Sequence, residues 1–351
     1  MTERRKKKRR ARSKEWDADH DKAFSHDLKR HLRTDSIIHE TAARPEIPED
    51  FEPNGVVLSH TKKWAFVLVD GEEFRCAITD HIIEDRSTLL AAGDRVLVVG
   101  VGEEPVVQAL APRTSKLSRL AIEHSRVSEQ IFAANIDALV VVAAAAKPML
   151  KAGLVDRYLI AAEVGGVEPV LCVNKMDLVD EEPSEVAMWR ELGVRVFNTS
   201  CETGEGVEAL REGLRGKLVL FAGHSGVGKS SLLNELQPGL DLATREVGRS
   251  TEKGKHVTSR AHLYTIDGDI RIIDSPGIRQ LGIWGVSNEE LGYYFPELAE
   301  RADACKFRDC THVHEPKCAV LEAVESGDIN RQRYDSYLRI RADLKEREKE
   351  Y

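Results

Sequence analysis

The spacing of hydrophobic and polar positions differs between successive regions of the chain. Up to about Pro45 there is no apolar periodicity and charged residues run throughout, which predicts a disordered or loosely helical segment. From Gly55 to Leu110, short β-rich runs alternate with turn signals such as Asp70-Gly71. Five such runs in about sixty residues predict a small all-β barrel, most simply an OB-fold. OB-folds commonly bind oligonucleotides, but a purely structural barrel is the alternative.

From Ile136 onward, apolar runs of four to eight residues alternate with helical stretches. Runs of this kind are typical of parallel strands that are covered on both faces. They comprise residues 136–144, 169–173, 195–197, 218–222 and 270–273. Residues 151–164 and 230–236 predict helices between them, so the pattern favours an open α/β sheet covered by helices. After Trp284 the chain is polar and helical, and it ends in a charged helix from Ile329.

Composition and charge narrow the class of protein. A chain of 351 residues is long enough for two or three domains. No apolar run approaches the ~20 residues that span a bilayer, and the basic N-terminus has no apolar stretch behind it. We therefore expect a cytoplasmic protein without a membrane partner. Residues 4–14 are almost all Lys or Arg, which indicates nucleic-acid contact, with a solubilising tail as the alternative.

One glycine-rich segment fits the G-x-x-x-x-G-K-[ST] pattern and lies between an apolar strand and a helix. Its glycines let successive backbone N–H groups point at phosphate oxygens. The pattern predicts that Lys229 reaches the β- and γ-phosphates of a nucleotide and that Ser230 binds Mg²⁺. The predicted phosphate-binding residues are Gly223, His224, Ser225, Gly226, Val227, Gly228, Lys229, Ser230 and Ser231.

A second segment, the strand ending in Asn174-Lys175-Met176-Asp177, predicts the base. A carboxylate at Asp177 accepts hydrogen bonds from both N1–H and the 2-amino group of guanine, and adenine offers no such pair of donors. We therefore expect GTP rather than ATP, with Asn174 and Lys175 bracing the loop and covering the ring. Ser200 and Cys201, at another strand end, are predicted to brace the same loop.

Two further segments carry candidates for hydrolysis. Asp274 ends a strand before Ser-Pro-Gly, and we expect it to hold Mg²⁺ directly or through water while the Gly277 N–H senses the γ-phosphate; a plain turn is the alternative. Thr258 is the predicted switch hydroxyl on Mg²⁺. Isoleucine at position 278 cannot orient water as a glutamine does, so intrinsic hydrolysis should be slow. His256 is a candidate substitute, and an exposed loop histidine is the alternative.

The order of these motifs differs from that of ordinary small GTPases, in which the phosphate loop comes first. Here the guanine motif precedes the phosphate loop, and Asp274 follows it. A sheet can be cut at one surface loop and rejoined at another without altering its packing. The sequence therefore predicts a circularly permuted GTPase, whose γ-phosphate-sensing segment leads directly into the C-terminal region.

Three of the six cysteines lie close together near the C-terminus, among histidines. Three thiolates and one imidazole make a closed, structural Zn²⁺ site, and closed sites are not catalytic. The candidates are Cys305, Cys310, Cys318 and either His312 or His314. We expect the other three cysteines to be small core or loop residues.

Taken together, these motifs resemble the bacterial small ribosomal subunit biogenesis GTPases of the RsgA type. The resemblance implies an OB-fold (residues 49–112), a permuted GTPase domain (113–297) and a C-terminal zinc-binding helical domain (298–351). The basic extension (1–48) is not part of the family pattern, and its role is open. It favours His312 as the fourth zinc ligand. It also implies binding to the small subunit and its rRNA late in maturation, with hydrolysis stimulated by that subunit. The family loop usually reads Gly-Arg-His-Thr-Thr-Thr; here Lys255, Val257 and Ser259 depart from it.

The leading hypothesis is a monomeric enzyme that binds GTP and GDP with Mg²⁺ and leaves the maturing subunit upon hydrolysis. One alternative is an RNA-binding assembly factor that uses GTP mainly as an affinity switch. Another is a nucleic-acid-stimulated NTPase of a different process.

Overall fold

A computed structural model describes residues 51–61, 63–79, 82, 90–123, 126–237, 262–266, 269–274 and 283–350. The predicted basic extension lies outside these ranges. Within the part of the chain that is described, none of the helices is both long enough and apolar enough to cross a bilayer.

The N-terminal region is a closed five-stranded barrel. Its strands are β1 (Gly55–His60), β2 (Trp64–Val69), β3 (Glu72–Ile78), β4 (Arg95–Val99) and β5 (Val106–Leu110), in the order β1-β2-β3-β5-β4. The β3–β5 pair is parallel and the others are antiparallel. Alternate residues such as Val57, Val67 and Val107 fill the interior and are fully buried. The OB-like barrel predicted from the alternating runs is confirmed.

A two-stranded antiparallel hairpin follows the barrel, formed by β6 (Lys116–Glu123) and β7 (Arg126–Ala134). The sequence pattern did not predict these strands. The pairing shifts register between Leu117 and Ser118. Such a bulge breaks the two-residue alternation by which a strand is recognised.

The central six-stranded sheet has the order β10-β9-β8-β11-β13-β12. Its strands are β8 (Ala138–Ala144), β9 (Glu168–Asn174), β10 (Arg195–Asn198), β11 (Leu218–Ala222), β12 (His262–Ile266) and β13 (Ile270–Asp274). Five strands are parallel, and β12 is an antiparallel edge strand. Every residue of β8 and β11 is buried because helices cover both faces of the sheet. The five predicted parallel strands are confirmed.

Four helices pack on this sheet: α1 (Ala152–Val164), α2 (Glu185–Glu191), α3 (Val207–Leu214) and α4 (Lys229–Leu236). Two hydrophobic clusters, one on each face, hold them. One cluster joins Val155 and Tyr158 of α1 and Trp189 of α2 to the sheet. The other joins Leu210 of α3 and Leu232 of α4 to the opposite face. The result is the three-layered α/β arrangement that the sequence predicted.

The C-terminal region consists of a short 3₁₀ turn (Leu291–Tyr294), α5 (Pro296–Ala302), α6 (Ala319–Ser326) and the long α7 (Arg331–Glu350). Phe295, Leu298 and Tyr337 form part of its core. Ile160 of α1 belongs to this core as well. Helix α1 is therefore shared between the sheet and the C-terminal region.

Candidate guanine-nucleotide and metal sites

The predicted nucleotide-binding segments meet at one edge of the central sheet. Strands β8, β9 and β11 are neighbours and run parallel, so their carboxyl ends lie together. The phosphate loop leaves β11, and the guanine motif leaves β9. Ligands of open α/β sheets bind outside the carboxyl ends of the strands. The sheet thus brings together two segments that are about fifty residues apart in the chain.

The phosphate loop has a backbone that only glycine permits at two positions. Gly223 has φ of 147°, and a Cβ there would lie 2.2 Å from the carbonyl oxygen of Val142. Gly228 has φ of 96°, and its Cβ would lie 2.3 Å from Nδ2 of Asn174. The loop therefore packs directly against β8 and the guanine motif. Helix α4 begins at the next residue, Lys229, and its N-terminus faces the loop.

Lys229 folds back across the phosphate loop. Its Nζ donates to the carbonyl oxygens of Gly223, at 2.7 Å, and of His224, at 2.8 Å. These bonds hold the ammonium group over the loop, which is the position from which it reaches a bound phosphate. Ser230 and Ser231 follow in the first turn of α4, both half-buried.

Asn174 connects three loops of the site. The side chain is 1 % exposed, and its Nδ2 donates to the carbonyl oxygen of Val227 in the phosphate loop, at 3.0 Å. Its Oδ1 accepts from Oγ1 of Thr199, at 3.1 Å, and lies 3.5 Å from Sγ of Cys201. Burial raises the pKa of Cys201, which keeps its thiol protonated and able to donate near pH 7.

Lys175 adds a second connection between the guanine motif and the phosphate loop. It has a left-handed backbone, with φ of 64°. Its Nζ donates to the carbonyl oxygens of Lys147, at 2.5 Å, and Gly226, at 2.6 Å. The ammonium therefore ties the loop after β8 to the phosphate loop.

Asp177 is held by the loop after β10. Oγ of Ser200 donates to Oδ1 of Asp177, at 2.6 Å. Oγ of Ser200 in turn accepts from the backbone N–H groups of Glu202 and Thr203, each at 3.2 Å. Because the Ser200 hydroxyl is itself fixed by two amides, the carboxylate of Asp177 has a defined direction. A directed carboxylate is what recognition of a pair of base donors requires.

The C-terminal cysteines and one histidine converge on a single point. The ligand atoms of Cys305, Cys310, His312 and Cys318 all lie within 4.8 Å of one another. The Sγ atoms of Cys305 and Cys318 are 3.8 Å apart, and Nδ1 of His312 lies 3.4 Å from Sγ of Cys318. Thiolates about 2.3 Å from a tetrahedral Zn²⁺ are about 3.8 Å apart, so the group fits zinc. The alternative ligand His314 is exposed and outside this cluster.

The loop that carries these ligands is held by its neighbours. Burial would raise the pKa of Glu315, but hydrogen bonds from the hydroxyl and the backbone N–H of Thr311 and from the backbone N–H of Val313 hold it well below the usual range. Burial lowers the pKa of His312, which favours the neutral imidazole that binds metals. Burial raises the pKa of the Cys310 thiol to about 12, so a metal would have to displace its proton.

Comparison with known proteins places the chain in a family. Residues 110–284 match the family model described as RsgA GTPase. The chain is 39 % identical over 298 residues to the small ribosomal subunit biogenesis GTPase RsgA of Gemmatimonas aurantiaca, spanning 83 % of this chain and 97 % of that protein. The corresponding protein of Bacteroides fragilis is 37 % identical over 302 residues, with the same coverage. This chain belongs to the RsgA GTPase family.

Two solved structures share the RsgA architecture. YjeQ from Thermotoga maritima has 32 % identity and a TM-score of 0.65, covering 83 % of this chain and 98 % of its own. YloQ, described as a circularly permuted GTPase, has 28 % identity and a TM-score of 0.61, covering 87 % and 99 %. The predicted circular permutation and GTPase activity are confirmed.

The structure does not describe every residue of the predicted RsgA site. His256, Thr258, Gly277 and Ile278 fall outside the described residues. Asp274 is the last residue of β13, and its backbone pairs with His262 of β12. The roles assigned to these residues in hydrolysis stay predictions.

Sequence reasoning missed two groups that organise the RsgA guanine site. Thr199 lies at the strand end that was predicted to brace the guanine loop, but it was not named as a site residue; its hydroxyl bonds Asn174 and lies 3.3 Å from Sγ of Cys172. A hydroxyl directly after a strand end, beside the serine already chosen, was the available signal. The second group is the carbonyl of Lys147, which accepts from Lys175. A backbone oxygen is present in every residue, so the sequence gives no sign of which one takes part.

Proposed function

We propose that this chain hydrolyses GTP during late maturation of the small ribosomal subunit, binds that subunit and its rRNA, and leaves upon hydrolysis. The observation that carries the proposal is the bonding of Asn174 and Lys175 to the phosphate loop, which joins base and phosphate recognition in one site. The proposed role in maturation of the small ribosomal subunit follows from the names of the relatives, which are small ribosomal subunit biogenesis GTPases. On this view the protein acts as a monomer in the cytoplasm.

Within the nucleotide site, each group has a proposed task. The phosphate loop and Lys229 hold the β- and γ-phosphates, and Asp177, directed by Ser200, reads guanine. Mg²⁺ would be held by Ser230, Thr258 and Asp274, and it would neutralise charge on the phosphates. The Gly277 N–H senses the γ-phosphate, and His256 positions the attacking water. The fixed hydrogen bonds of Asn174 and Ser200 support the first two tasks.

The metal cluster has a structural task. Cys305, Cys310, His312 and Cys318 would hold one Zn²⁺ in a closed tetrahedron that leaves no position for a substrate. Cys318 lies in the C-terminal core, so the ion would stabilise that core.

We further propose that the chain is divided into four segments: a basic extension (1–48), the barrel (49–112), the GTPase domain (113–297) and the zinc-binding domain with the C-terminal helix (298–351). The packing of Ile283, Val286 and Leu291 in the C-terminal core favours an earlier start for the last one.

GTP hydrolysis with and without purified small subunits tests the proposal. We expect weak intrinsic turnover that subunits raise strongly, and no stimulated turnover in Lys229→Ala. Equal rates with and without subunits would contradict it. A single-turnover measurement on the subunit separates an enzyme from an affinity switch, because a switch would release without hydrolysis. Comparing GTP with ATP affinity addresses an NTPase of another process.

A further inference from the structure

A buried ion pair joins the C-terminal helix to the sheet. Asp156 of α1 is fully buried, and its Oδ1 accepts from Nη1 of Arg333 in α7, at 2.6 Å. The same oxygen accepts from Nε1 of Trp189 in α2, at 2.8 Å. Arg333 is 3 % exposed. None of these groups takes part in the nucleotide or metal chemistry proposed above.

The guanidinium of Arg333 is fixed from other directions as well. Its Nε donates to Oε1 of Glu297 in α5, at 2.6 Å, and it lies 4.5 Å above the ring of Phe295. Burial disfavours its charge, but the bonds to Glu297 and the charge of Asp156 outweigh this and raise its pKa. Arg333 therefore stays charged and has one orientation relative to α1 and α5.

The same helix holds the metal loop. The hydroxyl of Tyr334 donates to the carbonyl oxygen of His312, at 2.8 Å, and that of Tyr337 donates to the carbonyl oxygen of Thr311, at 2.7 Å. Adjacent residues of α7, Arg333 and Tyr334, thus bond to α1 and to the metal loop. A displacement of the metal loop would be passed to α7 through bonds between rigid groups.

Helix α1 begins beside the nucleotide site. It starts directly after the loop whose Lys147 carbonyl binds Lys175. Side chains of α1 and of the phosphate loop, among them Tyr158 and Val227, line one small cavity. Trp189, the second donor to Asp156, lies in the helix that follows the guanine motif. Asp156 therefore bonds α7 of the C-terminal region and the helix after the guanine motif, and it lies in the helix that begins beside the phosphate loop.

Stability alone does not account for such a pair. Apolar residues of similar volume are often at least as stabilising as a buried ion pair, because two charges must be removed from water. A hydrogen-bonded ion pair differs from an apolar contact in fixing the orientation of one helix on the other. We propose that Asp156 and Arg333 are positioning residues that transmit contacts of the C-terminal region to the guanine site, so that docking on the small subunit accelerates hydrolysis. This rests on the proposed function.

The test is a double variant, Asp156→Asn with Arg333→Met, in the full-length, metal-loaded protein. Asparagine keeps an acceptor for Trp189, and methionine fills much of the arginine volume, so neither member of the pair is left as a lone charge, although Glu297 loses its partner. We expect subunit-stimulated kcat to fall at least about tenfold, within the usual range of coupling between sites. The KM for GTP, the intrinsic rate, the affinity for fluorescent GDP and the zinc content should stay within about twofold.

A matched control exists on the same two helices. Arg157 of α1 and Asp343 of α7 form an ion pair that is far more exposed. The variant Arg157→Met with Asp343→Asn makes the same changes in charge and residue type. Since an exposed pair contributes little, we expect its stimulated kcat to equal that of the wild type.

Three results would overturn the inference. They are a stimulated kcat of the double variant within about twofold of wild type, an equal fall in intrinsic and stimulated rates, and an equal effect of the control pair. A wild-type protein that subunits do not stimulate would instead refute the proposed function. If the double variant does not fold, Arg333→Lys serves: it keeps the charge but cannot bond Asp156 and both oxygens of Glu297 from one planar group. An unchanged stimulated kcat in that variant would also overturn the inference.

Discussion

The nucleotide site and the metal loop are organised in opposite ways. At the sheet edge, side chains of one loop bind backbone carbonyls of another: Asn174 bonds Val227, and Lys175 bonds Lys147 and Gly226. At the C-terminus, the four ligand atoms converge on one another. The loops of the first site are joined directly by hydrogen bonds, whereas the ligands of the second, although their loop is bonded to Glu315, Tyr334 and Tyr337, would be joined by the ion they share.

This difference indicates which of the two sites is already formed before its ligand binds. Loops that are bonded to each other and to buried strands keep their geometry, so nucleotide binding costs little reorganisation. The thiols of Cys310 and Cys318 have raised pKa values because they are buried, and a metal must displace their protons. Removing the metal should therefore disrupt local structure, whereas removing nucleotide should not.

The largest effect is expected for metal removal, since structural zinc can contribute about 10 kcal/mol or more to folding. Chelation, or Cys318→Ser, should abolish hydrogen-exchange protection in α6 while β8 stays protected. Cys76→Ser, in the barrel, should leave the metal content unchanged. Equal protection of α6 with and without metal would mean that the C-terminal core holds itself together.

The next effect concerns catalysis at the preformed site. Lys229→Ala removes a charge aimed at the phosphates and should lower kcat at least about a hundredfold, as loss of one preorganised donor does elsewhere. The fold should be unchanged because α4 is anchored by Leu232 and Leu233. The comparison variant is Lys217→Ala, whose amine pairs with Glu168 away from the site. Comparable rates for the two variants would contradict the role of Lys229.

Base recognition should respond more moderately. Asp177→Asn replaces a charged acceptor by a neutral amide. GTP affinity should therefore fall roughly tenfold to a hundredfold, because a hydrogen bond to a charged group contributes about 1.5–3 kcal/mol. Affinity for xanthosine triphosphate should rise, since an amide can donate to its additional oxygen. Calorimetry with both nucleotides is the measurement. Retained guanine preference would show that another group reads the base.

The smallest effect tests how far the site is preorganised. Ser200→Ala leaves Asp177 in place but removes the hydroxyl that directs it. GTP affinity should fall about fivefold, because a neutral hydrogen bond contributes roughly 1 kcal/mol. Ser184→Ala, an exposed serine with no side-chain cap bond, should change nothing. If Ser200→Ala binds as tightly as wild type, Asp177 is positioned by its backbone alone.

Much of this fold is predictable because its signals are local. The glycines of the phosphate loop and the all-apolar strands β8 and β11 have a characteristic pattern within a few residues. The hairpin β6–β7 was missed because its bulge breaks the alternation, and β12 because an edge strand within a polar stretch lacks a long apolar run. The bond between Asp156 and Arg333 spans 177 positions, so neither residue's local sequence distinguishes it from a surface charge.

The position of Ile160 on α1 limits how this enzyme can be divided. Its neighbour Ala161 packs against the sheet, while Ile160 itself packs among the C-terminal helices. A fragment that stopped after β13 would expose this isoleucine and the carboxylate of Asp156 to water. The C-terminal helices are therefore not an independent domain that can be removed without effect. An ancestor that acquired them late would have needed apolar and charged residues on the surface of α1 that match them.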